Sequence, residues 1–289
     1  MKETSDFKVT YFMKSPNYEL QHNITTKPFH ITYHNHDFYE VFYFISGNVK
    51  YMIEGTVYHL KPGDILLTHN KEMHKPILDF SVPYERYVLW LDPMYIKTLD
   101  DNSVNLSACF EQAAQNNSHL LRPSSSLHMV ISNLFKTLEM ISSDNSIGNT
   151  LLNKSYLTAL LIYLNRISEE NCYEVEYEID YDPRINDIIK YINNNIQESI
   201  TLDEIADEFY LSKYHLCRLF KKSVGLTIYQ YIIKKRLIIA KSILISGSSV
   251  RSAFLGSGFS DYSNFIKSFK SEFGVLPKNI ATNMNRDIT

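Results

Sequence analysis

Two groups of side chains in this 289-residue chain have the types and the spacing to do chemistry. The first lies in the C-terminal third. Tyr214, Cys217, Arg218 and Lys221 are set among Leu216, Leu219 and Phe220 at helical spacing, and Tyr262, Ser263, Asn264 and Lys267 surround Phe265 and Phe269 in the same way. Such a helix has one apolar face for its own domain and one polar face suited to base edges in a major groove. Arg218 is the best reader of the set, because a guanidinium bonds guanine O6 and N7 together. Tyr214 suits a thymine methyl or a phosphate, Asn264 an adenine, and Lys267 a guanine or a phosphate. For Lys213, Lys222, Lys234 and Lys235 two readings stand side by side, phosphate contact and a solvated face.

The second group runs His34-x-His36-x-x-x-Glu40, then Gly47, Pro62-Gly63-Asp64 and His74. His34, His36 and Glu40 are expected to alternate on one strand, which would turn all three side chains to one face. His74, on a later strand, would join them. The residues leave three roles open: holding a metal, touching a ligand, and packing. Nearby, Trp90, Arg86, Tyr39 and Tyr43 suit stacking against and bonding to a sugar or another polar small molecule, and the tyrosines read equally well as core.

These groups need elements to hold them. Val41–Ile45, Val49–Ile53, Asp64–Thr68 and Tyr84–Leu91 are strand-like runs separated by Gly47, Gly55, Pro62-Gly63 and Pro83, so residues 7–95 predict a closed or sandwiched antiparallel sheet. After Pro93 the period becomes helical. Leu127, Val130, Ile131, Leu134, Leu138 and Ile141 mark one amphipathic helix; Leu157, Leu160, Leu161, Leu164 and Ile167 mark a second. Residues 169–183 are acidic without an apolar face and read as a linker. Helical periodicity then runs from Arg184 to Lys278.

Charge divides along the same line. The net charge is −3, yet residues 184–289 carry 15 Lys+Arg against 9 Asp+Glu, a balance of +6. Residues 1–183 carry 14 against 23, or −9. A positive half beside a negative one is expected where only the first meets phosphate. Cys109, Cys172 and Cys217 are odd in number and far apart, which argues for reduced thiols rather than disulfides or a zinc site. With no long apolar run and no signal-like N-terminus, the expected location is the cytoplasm, away from membrane.

The C-terminal third repeats itself. Leu216, Arg218, Phe220 and Gly225 correspond to Phe265, Lys267, Phe269 and Gly274, so one helix-turn-helix pattern is written twice. The runs Ser212–Lys222 and Gly258–Lys270, with Gly274 and Pro277 behind the second and Arg236 and Ala240 between, resemble the AraC family of bacterial transcription regulators over roughly residues 184–282. That resemblance implies Tyr214, Cys217 and Arg218 as base-facing residues. One departure stands out: Ile205-Ala206 of the first copy becomes Ala253-Phe254 in the second. Either large and small residues have exchanged places at constant volume, or the second unit packs differently.

The histidine signature resembles the cupin fold, a small antiparallel barrel that serves as sensor domain in many members of that family. In cupin enzymes these His and Glu positions hold a divalent metal. The expected whole is α+β with two domains. Residues 1–168 would form a cupin-like β-barrel with a helical pair that binds ligand and dimerises; 169–183 would be the linker, and 184–289 an all-α double helix-turn-helix. The ligand-binding set is His34, His36, Glu40, His74, Arg86 and Trp90, and no cofactor is assigned. The implied function is not enzymatic: a ligand-responsive, sequence-specific regulator, an activator sensing a sugar or other small polar metabolite. Its partners would be promoter DNA, RNA polymerase and a second copy of the chain. Two alternatives are a metal-dependent cupin enzyme fused to a DNA-binding domain and an architectural DNA-binding protein without ligand.

Overall fold

A computed structural model describes residues 13–27, 31, 33–101, 103–142, 146–171 and 184–284. Residues 7–12 of the strand-like region, Cys172 and the acidic stretch from 172 to 183 lie outside these. The chain divides into two compact units, 1–180 and 181–289. No helix among the described residues is long and apolar enough to cross a membrane.

The first unit begins with seven strands: β1 (Tyr18–Thr25), β2 (Tyr39–Ser46), β3 (Asn48–Ile53), β4 (Thr56–His59), β5 (Ile65–Thr68), β6 (His74–Asp79) and β7 (Tyr84–Leu91). There follow α1 (Pro93–Lys97), α2 (Ala108–Asn116), the short β8 (Leu120–Leu121), α3 (Ser125–Ser142) and α4 (Asn149–Asn171). Antiparallel pairing gives a five-stranded sheet, β1-β7-β2-β5-β8, and a three-stranded sheet, β4-β3-β6. The cupin-like antiparallel architecture therefore stands, with the strands in two sheets rather than one unbroken ring. Gly47, at φ +130°, turns the chain from β2 in one sheet to β3 in the other. A Cβ there would lie 3.2 Å from Tyr84 Cα, so the turn is also a close approach of two chains.

Period-two alternation sorts the side chains into two cores. On β2, Tyr39, Val41 and Tyr43 face α2, α3 and α4, joined by Tyr87, Leu89 and Leu91 of β7. Phe42 and Phe44 face the other way, onto Val49, Tyr51, Ile53 and Tyr58 of the smaller sheet. Tyr39 stacks on Phe110 and Tyr43 on Phe135, so both tyrosines expected as candidates for ligand contact belong to the helix-facing core instead. Strand parity decides this, since Glu40 and Phe42 take the opposite face.

The second unit is helical throughout: α5 (Arg184–Asn194), α6 (Leu202–Glu208), α7 (Lys213–Val224), α8 (Ile228–Ile245), α9 (Val250–Gly256), α10 (Tyr262–Phe273) and α11 (Pro277–Met284). The two pairs, α6–α7 and α9–α10, are built with the same local chemistry. Ser212 and Asp261 cap the starts of α7 and α10 through side-chain bonds from His215 N and Asn264 N. Gly225 and Gly274 end them in the left-handed region, at φ +84° and +75°. Thr201–Glu204 and Thr227–Gln230 form capping boxes at α6 and α8. Ile205 and Ala206 of the first copy are both buried, whereas the second copy fully buries only Ala253 of its corresponding pair. Ala253 is fully buried against Leu237, Ala240, Phe265 and Phe269, while Phe254 moves to the rim and meets Tyr262 edge-on at 5.2 Å.

Candidate functional site

In the first unit the register of the larger sheet assembles a polar wall. Glu40 stands directly opposite Trp90 across the β2–β7 ladder, and Phe44 opposite Arg86. Trp90 Nε1 donates to Glu40 Oε2 at 2.8 Å, and Tyr51, from the facing sheet, donates its hydroxyl to Oε1 at 3.0 Å. Burial alone would raise the Glu40 carboxyl. The bond to His36, the nearby His74 and the indole N–H outweigh that and hold it well below the usual carboxylate range, so it stays ionised. Arg86 donates to Thr25 Oγ1 at 2.5 Å and lies 4.2 Å over the Tyr84 ring.

His34, Glu40, Arg86 and Trp90 all line a cavity of about 160 Å³ between the sheets. Tyr51, Tyr84, Gln21 and Asn23 line it too and were not foreseen. Their signal was present: Tyr84 and Val88 have the same parity as Arg86 and Trp90, and Gln21 and Asn23 pair with Val88 and Arg86 on β1.

The histidines meet by a different route from the one expected. β2 starts at Tyr39, so His34 and His36 precede it and do not alternate with Glu40 along one strand. The backbone of His34 instead makes a two-bond bridge to His74, N to O at 3.1 Å and O to N at 2.8 Å. One nitrogen from each of His34, His36 and His74 then lies within 4.8 Å of the others. His36 Nδ1 faces Phe38 O at 2.9 Å, and His74 Nδ1 faces Glu72 O at 3.1 Å. A carbonyl oxygen only accepts, so each Nδ1 carries a proton. His36 Nε2 lies 3.3 Å from Glu40 Oε2. His74 is fully buried, and burial, with His36 and His119 near it, pushes its pKa down to about 4. Its Nε2 has no hydrogen-bond partner among the described residues. His36 and His74 do not line the cavity with the other four candidates; they stand behind it.

In the second unit, Tyr214, Arg218 and Lys221 are exposed on α7, with Cys217 half-buried, while Leu216 and Phe220 are fully buried. Tyr262, Ser263, Asn264 and Lys267 are all exposed on α10, over buried Phe265 and Phe269. The split into apolar and polar faces is thus as the spacing required. The lysines divide: Lys213 pairs with Asp203 at 2.5 Å and Lys234 with Glu272 at 2.6 Å. Neither bond prevents a phosphate contact, but each lysine already has a carboxylate.

Comparison with known proteins matches both units. Residues 15–161 fit the family described as AraC-like ligand binding domain, and residues 205–283 fit a helix-turn-helix domain. The HTH-type transcriptional activator RhaS of Escherichia fergusonii is 26% identical over 250 residues, covering 86% of each chain. RhaS of Escherichia coli O1:K1 is 25% identical over the same length and coverage. A crystal structure of ToxT from Vibrio cholerae aligns with 93% of this chain and 97% of its own at 15% identity, with a TM-score of 0.39. An AraC-like ligand-binding unit and a helix-turn-helix unit occur here in one chain, in the order in which the two family matches run. The chain belongs to the AraC family of ligand-responsive, DNA-binding transcription regulators.

Proposed function

We propose that the protein is a cytoplasmic activator that senses a sugar or other small polar metabolite in the cavity of its first unit. The observation that carries this is the ionised Glu40 at the cavity wall, flanked by Trp90 and Arg86. A carboxylate offers about four acceptor sites, and here Oε1 accepts from Tyr51 while Oε2 accepts from Trp90 and faces His36. Oε1 keeps capacity for a ligand hydroxyl, and the indole gives an apolar platform beside it. Exposed Met129 and Met140 on α3 and Leu151 and Leu152 on α4 suit the helical pair to dimerisation. Tyr214, Cys217, Arg218 and Lys221, with Tyr262, Ser263, Asn264 and Lys267, would meet promoter DNA, and RNA polymerase would be recruited beside it. The direction, activation, is that of RhaS, a transcriptional activator. Ligand acts only by binding one arrangement of the dimer more tightly than another. The proposed role is regulatory, not enzymatic.

The test is a thermal-shift screen of sugars and related metabolites on the full chain, since a ligand stabilises what it binds. A hit should be lost in Trp90→Ala and in Glu40→Gln. A shift that survives both places the effector outside this cavity.

A second reading is favoured by one atom, the buried Nε2 of His74, which has no hydrogen-bond partner among the described residues. Imidazoles that bind metal usually give their other ring N–H to a carbonyl or carboxylate, as His36 and His74 do here. Three imidazoles suit zinc, iron or another first-row divalent ion, so the residues fit such a group, with His34, His36 and His74 holding it and Glu40 adjacent. A bound cation would give a ligand oxygen a positive charge to meet. Near-stoichiometric metal in protein purified without chelator, lost in His74→Ala, would favour this reading. A metal-free protein with normal effector response removes it.

A further inference from the structure

Residues 195–198, just after α5, are where three parts of the second unit meet. Arg236, in the middle of α8, donates Nε to Ile196 O at 2.9 Å and Nη2 to Glu198 O at 2.5 Å. Gln197 donates Nε2 to the carbonyl of Gly256, the last residue of α9, at 2.9 Å. Gly258, in the turn between α9 and α10, presses on the same segment. A Cβ on it would stand 2.6 Å from Ile196 O and 2.7 Å from Gln197 Cα.

The first copy shows that this glycine serves more than its turn. Counted from the end of the first helix of each pair, Gly258 matches Tyr210. Tyr210 also adopts a left-handed conformation, φ +52° against +80°, with a side chain that is 97% exposed. A tyrosine therefore satisfies the turn where nothing lies against it. At 258 the neighbouring backbone forbids any side chain, so the glycine records a contact between the second helix pair and the segment that follows α5. Lys234 of α8 adds a bond to Glu272 of α10.

We propose that Arg236, Gln197 and Gly258 are positioning residues that fix the distance and angle between α7 and α10. They thereby set the base-pair spacing at which the protein reads two successive stretches of one groove. The proposal rests on the reading that both helices enter DNA. α8, 18 residues long and so about 27 Å, connects the two pairs by itself, but a single helix leaves each pair free to pivot at its ends. The junction removes that freedom at a second point. Reading side chains must reach base edges within hydrogen-bond distance, so a small rotation between the pairs costs contacts at the far one.

The experiment uses the full chain and a duplex that the wild-type protein selects from a randomised pool. Four derivatives accompany it: each sub-site scrambled in turn, and one base pair inserted or removed between them. The wild-type protein should lose affinity by about tenfold or more on either spacing change, the size of a lost base contact. Arg236→Gln and Gln197→Ala should bind the intact duplex several-fold more weakly, yet suffer a smaller spacing penalty, because the pairs can now adjust. Arg236→Lys keeps the charge but not the two-carbonyl fork, and should behave like Arg236→Gln. All variants should match the wild type on the duplex whose second sub-site is scrambled. Gln197 is exposed, so its variant keeps the test open if changes at Arg236 impair folding. An unchanged spacing penalty, or equal losses on every duplex, overturns the proposal. If scrambling one sub-site costs the wild-type protein nothing, the two-helix reading itself fails, a result distinct from the other two.

Discussion

Arg218 and Lys222 occupy one helix, and the contacts proposed for them differ in kind. Arg218 is exposed on the polar face of α7, where its fork can bond a guanine edge. Arg218→Ala should cost about 1–3 kcal/mol on the preferred sequence and relax preference at one base position, measured by competition binding on single-base variants. Lys222→Ala should instead weaken binding to all sequences alike and lower the salt slope by about one. Equal, sequence-independent losses from both would take Arg218 out of the reading set. A residue-scale contrast also separates the cysteines. Burial pushes the Cys109 thiol up to about 12, whereas Cys217 is half-buried on α7. A thiol reagent at neutral pH should modify Cys217 in the native protein and Cys109 only on unfolding, as peptide mapping would show. Early labelling of Cys109 would mean that the core beneath α2 opens.

At the scale of elements, much was legible because period decides it. The alternation at 41–45 and 84–91 gave β2 and β7, and the three- and four-residue steps gave α3 and α4. The double pattern located α7 and α10, since amphipathic spacing and a closing glycine are local properties. What periodicity does not contain is long-range pairing. Spacing puts His34 and His36 on one strand with Glu40, but β2 starts at Tyr39 and their meeting with His74 depends on a backbone bridge across 40 residues of chain. Alternation alone leaves Tyr39 and Tyr43 open to the ligand side and to the core, because parity without a sheet does not say which face is which. At 253 and 254 the sequence leaves two outcomes open, and the structure buries Ala253 while leaving Phe254 at the rim, where both Ile205 and Ala206 of the first copy are buried. Ala253→Leu should therefore destabilise the unit by about 1–3 kcal/mol through overpacking, read from denaturant midpoints. Phe254→Ala should cost less stability but weaken the DNA contact proposed for Tyr262, whose ring it meets edge-on. Wild-type stability in Ala253→Leu would show slack in that core.

For the whole molecule, division of labour follows division of charge and of fold, with residues 184–289 at a balance of +6 and residues 1–183 at −9. Residues 181–289 expressed alone should fold as a helical protein and bind promoter DNA weakly, indifferent to effector; an unfolded fragment, seen by circular dichroism, would contradict that. The exposed Met129, Met140, Leu151 and Leu152 have a practical consequence for every melting curve recorded on this protein. If those side chains are covered by a second copy, folding and association are one equilibrium, and mass action enters the transition temperature. The melting point should then climb as the sample is made more concentrated, with no effector present. A metabolite that tightens the pair would seem potent in a dilute cuvette and nearly inert in a concentrated one. Titrating protein before titrating compounds tells the two apart, and a melting point that ignores dilution would leave those four side chains facing water.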